Sequence, residues 1–189
     1  MLTELQKKNL LKIARETLDY YLSGKELPVI VYEDPFLQER RGVFVTLKKK
    51  GELRGCIGYI EGVKPLAMAV RDMAIQSATG DPRFPPVNYK ELKDIEIEIS
   101  VLTPLKKVKN AEEIVINRDG VVIKKGYRQG VFLPQVAEET GWSKEEFLSN
   151  LCMYKAGLPP DAWKDKDTEI YTFEAEVFSE GGDTKKSNR

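Results

Sequence analysis

Apolar residues near the start of the chain recur at Leu10, Ile13, Leu18 and Tyr21 or Leu22, the three- and four-residue spacing of one helix face. Thr3 can cap that segment and Ser23-Gly24 can end it, so the pattern predicts a helix from Thr3 to about Leu22. The period then shortens. GVFVTL (42–47) and ELRGCIGYI (52–60) flank KKKG and predict a β-hairpin. PLAMAVRDMAIQSA (65–78) returns to helical spacing, with proline at its start and Gly80 soon after its end. GDPRFPPVNY (80–89) is too rich in proline for regular structure. In DIEIEISVL, Ile95, Ile97, Ile99 and Val101 alternate with Glu96, Glu98 and Ser100. That is a strand with one wet face, which points to an antiparallel sheet.

In the second half, IVINRDGVVIKKG (114–126) places an Asp119-Gly120 turn between β-branched runs and predicts a hairpin. GVFLP (130–134) predicts a short strand, and Pro134 opens a helix to about Thr140. Ser143 and Glu146 have capping-box spacing for SKEEFLSNLCMYKAG, which Gly157 closes. TEIYTFEAEVF (168–178) alternates with Tyr171, Phe173, Ala175 and Val177 on one face. No repeat or linker interrupts the sequence, and no βαβ rhythm occurs. The prediction is an α+β fold of antiparallel sheets with flanking helices. It forms one folded domain over residues 1–180, and GGDTKKSNR (181–189) is a disordered tail.

Composition narrows the function classes. The 189 residues are 41% hydrophobic, a globular proportion. No apolar run approaches the roughly 18 residues of a membrane span, and the N-terminus lacks a signal-peptide pattern. The expectation is a cytoplasmic protein with no membrane partner. Thirty basic and thirty acidic residues cancel, so net charge offers no long-range attraction to nucleic acid. A charged fraction of 32% leans toward a thermophilic source. Cys56 and Cys152 read as free thiols. Histidine is absent, which removes the usual general base and the commonest metal ligand. Nucleotide, zinc and iron–sulfur motifs are absent too, and no metal site is expected.

Candidate chemistry centres on LRGCIG (53–58). On a regular strand Arg54, Cys56 and Gly58 share one face, and Leu53, Ile57 and Tyr59 share the other, which reads as core. A guanidinium beside a thiol favours the thiolate. Three readings stay open for Cys56: a nucleophile activated by Arg54, a ligand-lining group, and a buried small hydrophobe. In the last, the glycines make room for a helix and Arg54 pairs with an acid. Without histidine, proton transfer would fall to Asp81, Lys155 or water.

The prolines of GDPRFPP hold Asp81, Arg83 and Phe84 in place, either as a cleft wall or as a self-neutralised connector. Lys155 shares a helical stripe with Leu148, Leu151 and Cys152 and is expected to face inward; the competing reading is a helix-end lysine with its stem on apolar surface. KKGYRQG offers Lys124, Lys125, Tyr127 and Arg128 as a nucleic-acid surface, or as solvated charges at a strand end.

LRGCIG, together with GDPRFPPV, ISVLTP, GVFLPQVAEETGW and CMYKAGL, resembles the AMMECR-one family. That family is named for a human chromosomal region linked to Alport syndrome, midface hypoplasia and elliptocytosis. The resemblance runs in order from the first helix to EVFSE. It implies a larger lobe formed by both chain ends, a smaller, mainly β lobe, and signature residues gathered where the lobes meet. Arg54, Gly55, Cys56, Gly58, Arg83 and Phe84 are then expected to line a cleft that binds a small molecule or a partner's reactive group. The family's biochemical activity is not established. The resemblance further implies a pathway shared with Memo-type and radical SAM proteins, in which this chain, lacking CxxxCxxC, is not the radical enzyme. Two classes of function remain: a binding protein that catalyses a step through Cys56 and Arg54, or a non-catalytic adaptor or RNA-associated module.

Overall fold

The period changes along the chain translate into helices α1 (Glu4–Leu22) and α2 (Pro35–Gln38), strands β1 (Val43–Lys49) and β2 (Glu52–Tyr59), and helix α3 (Leu66–Thr79). Strands β3 (Ile95–Leu102), β4 (Lys106–Val108), β5 (Gly120–Lys125) and β6 (Arg128–Phe132) follow, then helices α4 (Pro134–Thr140) and α5 (Lys144–Asn150) and strands β7 (Glu169–Phe173) and β8 (Ala175–Ser179). The computed structural model describes residues 1–31 and 33–182; the tail expected to be disordered lies outside them from residue 183. Among the described residues two compact units emerge, one from Met1–Leu102 with residues 176–182, the other from Thr103–Ala175.

The first unit is built on an antiparallel sheet of order β2-β1-β3-β8. The alternation read in the sequence decides its two faces. Val43, Val45, Leu47, Ile95, Ile97, Ile99 and Val101 are buried in one core with Leu10, Ile13 and Leu18 of α1 and Leu66, Val70 and Met73 of α3. Each such side chain contributes about 1.5–3 kcal/mol on burial. Thr3 and Gln6 cap α1 reciprocally, and the small residues Ala67, Ala69, Ala74 and Ala78 let α3 lie close to the strands.

The second unit carries a sheet of order β4-β7-β5-β6. Val121, Ile123, Phe132 and Ile170 pack with Phe147, Leu148, Leu151 and Cys152, and the Phe132 and Phe147 rings sit 5.2 Å apart. The Ser143–Glu146 capping box forms as expected. Three expectations are corrected here. Residues 114–117 are not a strand: Asp119 accepts the N–H of Val115 and binds Arg118, closing a local loop. β5 therefore pairs with β6, around Gly126 and Tyr127. TEIYTFEAEVF is two strands rather than one, because at Glu174 the backbone leaves the ladder and bonds to Thr103. Finally, Leu151–Ala156 is π-helical. Its wider turn breaks the stripe read for Lys155, which is exposed with its Nζ 5.9 Å from the Phe132 ring centroid.

Candidate functional site around Cys56

β2 is an edge strand, and its pairing with β1 slips by one residue: Leu47 faces Gly55 and Lys48 faces Leu53. Arg54 is the extra residue of a β-bulge, and a bulge re-aims side chains. Its guanidinium donates to Pro85 O at 2.8 Å and to Glu91 Oε1 at 2.8 Å. Lys49 holds the other oxygen of Glu91 at 2.7 Å. Burial pushes the Glu91 carboxyl up, but hydrogen bonds from Lys49, Arg54 and the Asn88 N–H outweigh it and bring it down to about 2. The side chain of Arg54 is therefore engaged by an acid, as the last of the three readings of LRGCIG supposed. The bulge also leaves Leu53 at 42% exposure, so the expectation that it belongs to the core is corrected.

Both glycines of the motif are filled by the protein itself. A Cβ on Gly55 would overlap the Ser77 carbonyl of α3, and one on Gly58 would overlap the Phe44 ring. Ser77 is a residue that the sequence did not single out. Its Oγ donates to Val45 O at 2.7 Å and accepts the Ile57 N–H at 2.9 Å, tying α3 to both β1 and β2. Gly55 thus faces α3, and Cys56, its neighbour on the strand, faces the opposite side.

The GDPRF loop meets β2 at Cys56. Asp81, only 5% exposed, accepts the Cys56 N–H at 2.9 Å. Its oxygens also take the Arg83 N–H at 3.1 Å, Nε at 2.9 Å and Nη2 at 2.7 Å. Arg83 Nη2 in turn donates to Cys56 O at 3.3 Å, and the guanidinium carbon lies 5.6 Å from the Phe84 ring centroid. The loop so covers the polar groups of an exposed sheet edge. The hydrogen bonds from Arg83, with the Cys56 and Arg83 N–H groups, hold the Asp81 carboxyl well below its usual range despite burial. With all its lone-pair directions engaged, Asp81 is a positioning group and not the proton acceptor considered from the sequence.

On the face away from α3, Thr46 stands between Cys56 and Glu98 in the β2-β1-β3 register. Its hydroxyl donates to Cys56 Sγ at 3.2 Å. Lys48 pairs with Glu98 at 2.8 Å. Burial pushes the Cys56 thiol up; the Thr46 hydrogen bond and Arg83 lower it less, and Asp81 and Glu98 add to the rise. The cation acting on the thiol is therefore Arg83, and the surroundings of Cys56 favour its neutral form. A thiolate activated by Arg54 is not what this geometry provides. Thr46, Lys48 and Glu98 were missed as site residues, although the polar half of each strand's alternation carries them.

Lys155 and the KKGYRQG residues lie in the second unit. Tyr127 is 92% exposed at the hairpin tip. Lys125 is held by Asp165 at 2.5 Å and Asp167 at 3.0 Å. Arg128 donates to Gly157 O and lies over Tyr127, while Lys124 lies over Tyr171. Among the described residues, no helix is long and apolar enough to cross a membrane.

The profile of the AMMECR1 family matches residues 11–178. A protein of Methanothermobacter thermautotrophicus is 50% identical over 182 residues, covering 93% of this chain and 94% of that protein. Protein MK0488 of Methanopyrus kandleri is likewise 50% identical over 184 residues, covering 90% and 86%. The crystal structure of the uncharacterised protein PH0010 from Pyrococcus horikoshii superposes with a TM-score of 0.85 at 43% identity, covering 92% of this chain and 91% of that one. These relatives are archaeal and thermophile-like, in keeping with the charge-rich composition.

Proposed function

The chain belongs to the AMMECR1 family, and from that premise we propose that the Cys56 face of the first sheet receives a small molecule or a reactive group of a partner protein. The observation that carries this reading is the row Cys56–Thr46–Glu98, polar on a sheet face whose other side is aliphatic. Thr46 and Glu98 in this row are buried, unlike the polar side chains of an ordinary solvated sheet face, and a binding site needs a few fixed polar groups of this kind. Cys56 serves here as a neutral thiol contact, oriented by Thr46, and Arg83 supplies charge beside it. The wider role is a step in the pathway shared with Memo-type and radical SAM proteins that the family resemblance implies. A nucleic-acid role draws less support, since acids neutralise Lys125 and the protein's own backbone engages Arg128.

The test is protection of Cys56 from iodoacetamide by a compound set containing uncharged, cationic and anionic members, read by peptide mass. Compounds that slow alkylation of Cys56, while Cys152 stays unreactive, support the reading. No protection by any class overturns it.

A further inference from the structure

We infer that the ligand of this face carries an oxyanion, bound end-on by Nη1 of Arg83; this rests on the reading just given. A guanidinium has five N–H donors. In Arg83, Nε donates to Asp81, and Nη2 donates to Asp81 and to Cys56 O. Three donors are thereby spent on the edge of the group that faces the fold. The two of Nη1 have no acceptor among the described residues, and the side chain is 52% exposed. The orientation is set by several contacts: Asp81 holds two nitrogens, the guanidinium carbon lies over the Phe84 ring, and the carbonyl of Cys56 takes a third hydrogen bond. A planar cation locked along one edge with its remaining donors turned outward is pre-organised for carboxylate or phosphate oxygens.

The neighbouring charges agree. Asp81 is buried and satisfied by its own partners, and Lys48 neutralises Glu98. The Cys56 thiol, kept neutral, adds no repulsion and has an S–H to donate. Arg118 provides an internal control. It is held by Asp119 through Nε and Nη2 in the same manner, but Glu174 lies 3.7 Å from its Nε.

The experiment titrates the full chain with sodium phosphate and, separately, sodium malonate at constant ionic strength, following backbone amide resonances. Saturable shifts at Cys56, Arg83 and Phe84 but not at Arg118 are expected, and the arm that saturates tells phosphate from carboxylate. Arg83→Lys keeps a cation on Asp81 while withdrawing the outward nitrogen, and should weaken binding about tenfold or more. Absence of saturable shifts in the wild type with both probes, equal shifts at Arg118, or affinity unchanged in Arg83→Lys would overturn the inference. Alkylation of Cys56 slowed by uncharged compounds alone also overturns it, yet leaves the broader reading of the face standing.

Discussion

The carboxylate of Asp81 accepts the backbone N–H of Cys56 at 2.9 Å, so a proline-stiffened loop holds an edge strand at the peptide of its thiol residue. Asp81→Ala removes an acceptor that serves four donor contacts and leaves the Cys56 N–H without its partner. We expect a loss of about 2–4 kcal/mol in urea unfolding, with faster amide exchange at Cys56. Asp81→Asn, which keeps one acceptor oxygen, should lose less. Equal stability of Asp81→Ala and wild type would remove the edge-holding role.

Acid should unfold the first unit through Glu91. Its folded value of about 2 lies below the ordinary 4.5, so its contribution is complete above pH 4.5 and disappears as pH falls toward 2. The interactions given up are the hydrogen bonds from Lys49 and Arg54. Asp81 acts in the same direction. Glu91→Gln should flatten the acid limb of a stability-against-pH curve; an unchanged limb would assign the acid sensitivity elsewhere.

Gly55→Ala forces a methyl group into the Ser77 carbonyl of α3. Backbone on both sides cannot yield, so the cost should exceed about 3 kcal/mol or abolish folding. Gly51, at the β1–β2 turn with φ of +82° and open space around it, makes the contrast. Its alanine variant should lose only about 1–2 kcal/mol. Thermal melts of the two proteins decide whether helix approach, rather than turn conformation, is what the motif's glycine serves.

The two arginines near the motif should separate by function. Arg54→Ala gives up its bonds to Pro85 and Glu91 and should destabilise by about 1–3 kcal/mol, while the pH profile of Cys56 alkylation stays in place. Arg83→Ala should move that profile to higher pH, because the cation that lowers the thiol is gone and Asp81 remains. In the wild type the rate should still be rising past pH 9.0, the thiol's ordinary value. A wild-type profile that levels off near neutral pH would restore the activated thiolate.

Much of the fold was legible in the pattern of side chains. Helix α1 with its Thr3 cap, the β1–β2 hairpin, the strand β3 and the Ser143 capping box all rest on short-range spacing and local hydrogen bonds, which neighbouring residues specify by themselves; the wet face expected of β3 is corrected, since Glu98 and Ser100 on it are buried. Alternation likewise separated the aliphatic side of β3 from Glu98. It failed where the chain departs from a regular period: at the bulge that turns Arg54 to Glu91, at Glu174 where one apparent strand becomes two, and at the π turn that leaves Lys155 exposed.

The sequence by itself thus determined the elements, the family and the presence of a thiol among glycines, with Asp81 and Arg83 in a stiff loop. The tertiary structure alone decided what surrounds that thiol. Ser77 and Phe44 fill the space over the glycines, and Asp81 and Arg83 arrive from 25 and more residues away to hold the Cys56 peptide. Thr46 and Glu98 come alongside through strand register. Desolvation and charge at a sulfur are sums over neighbours in space. Spacing along a chain fixes only those neighbours that share its helix or strand.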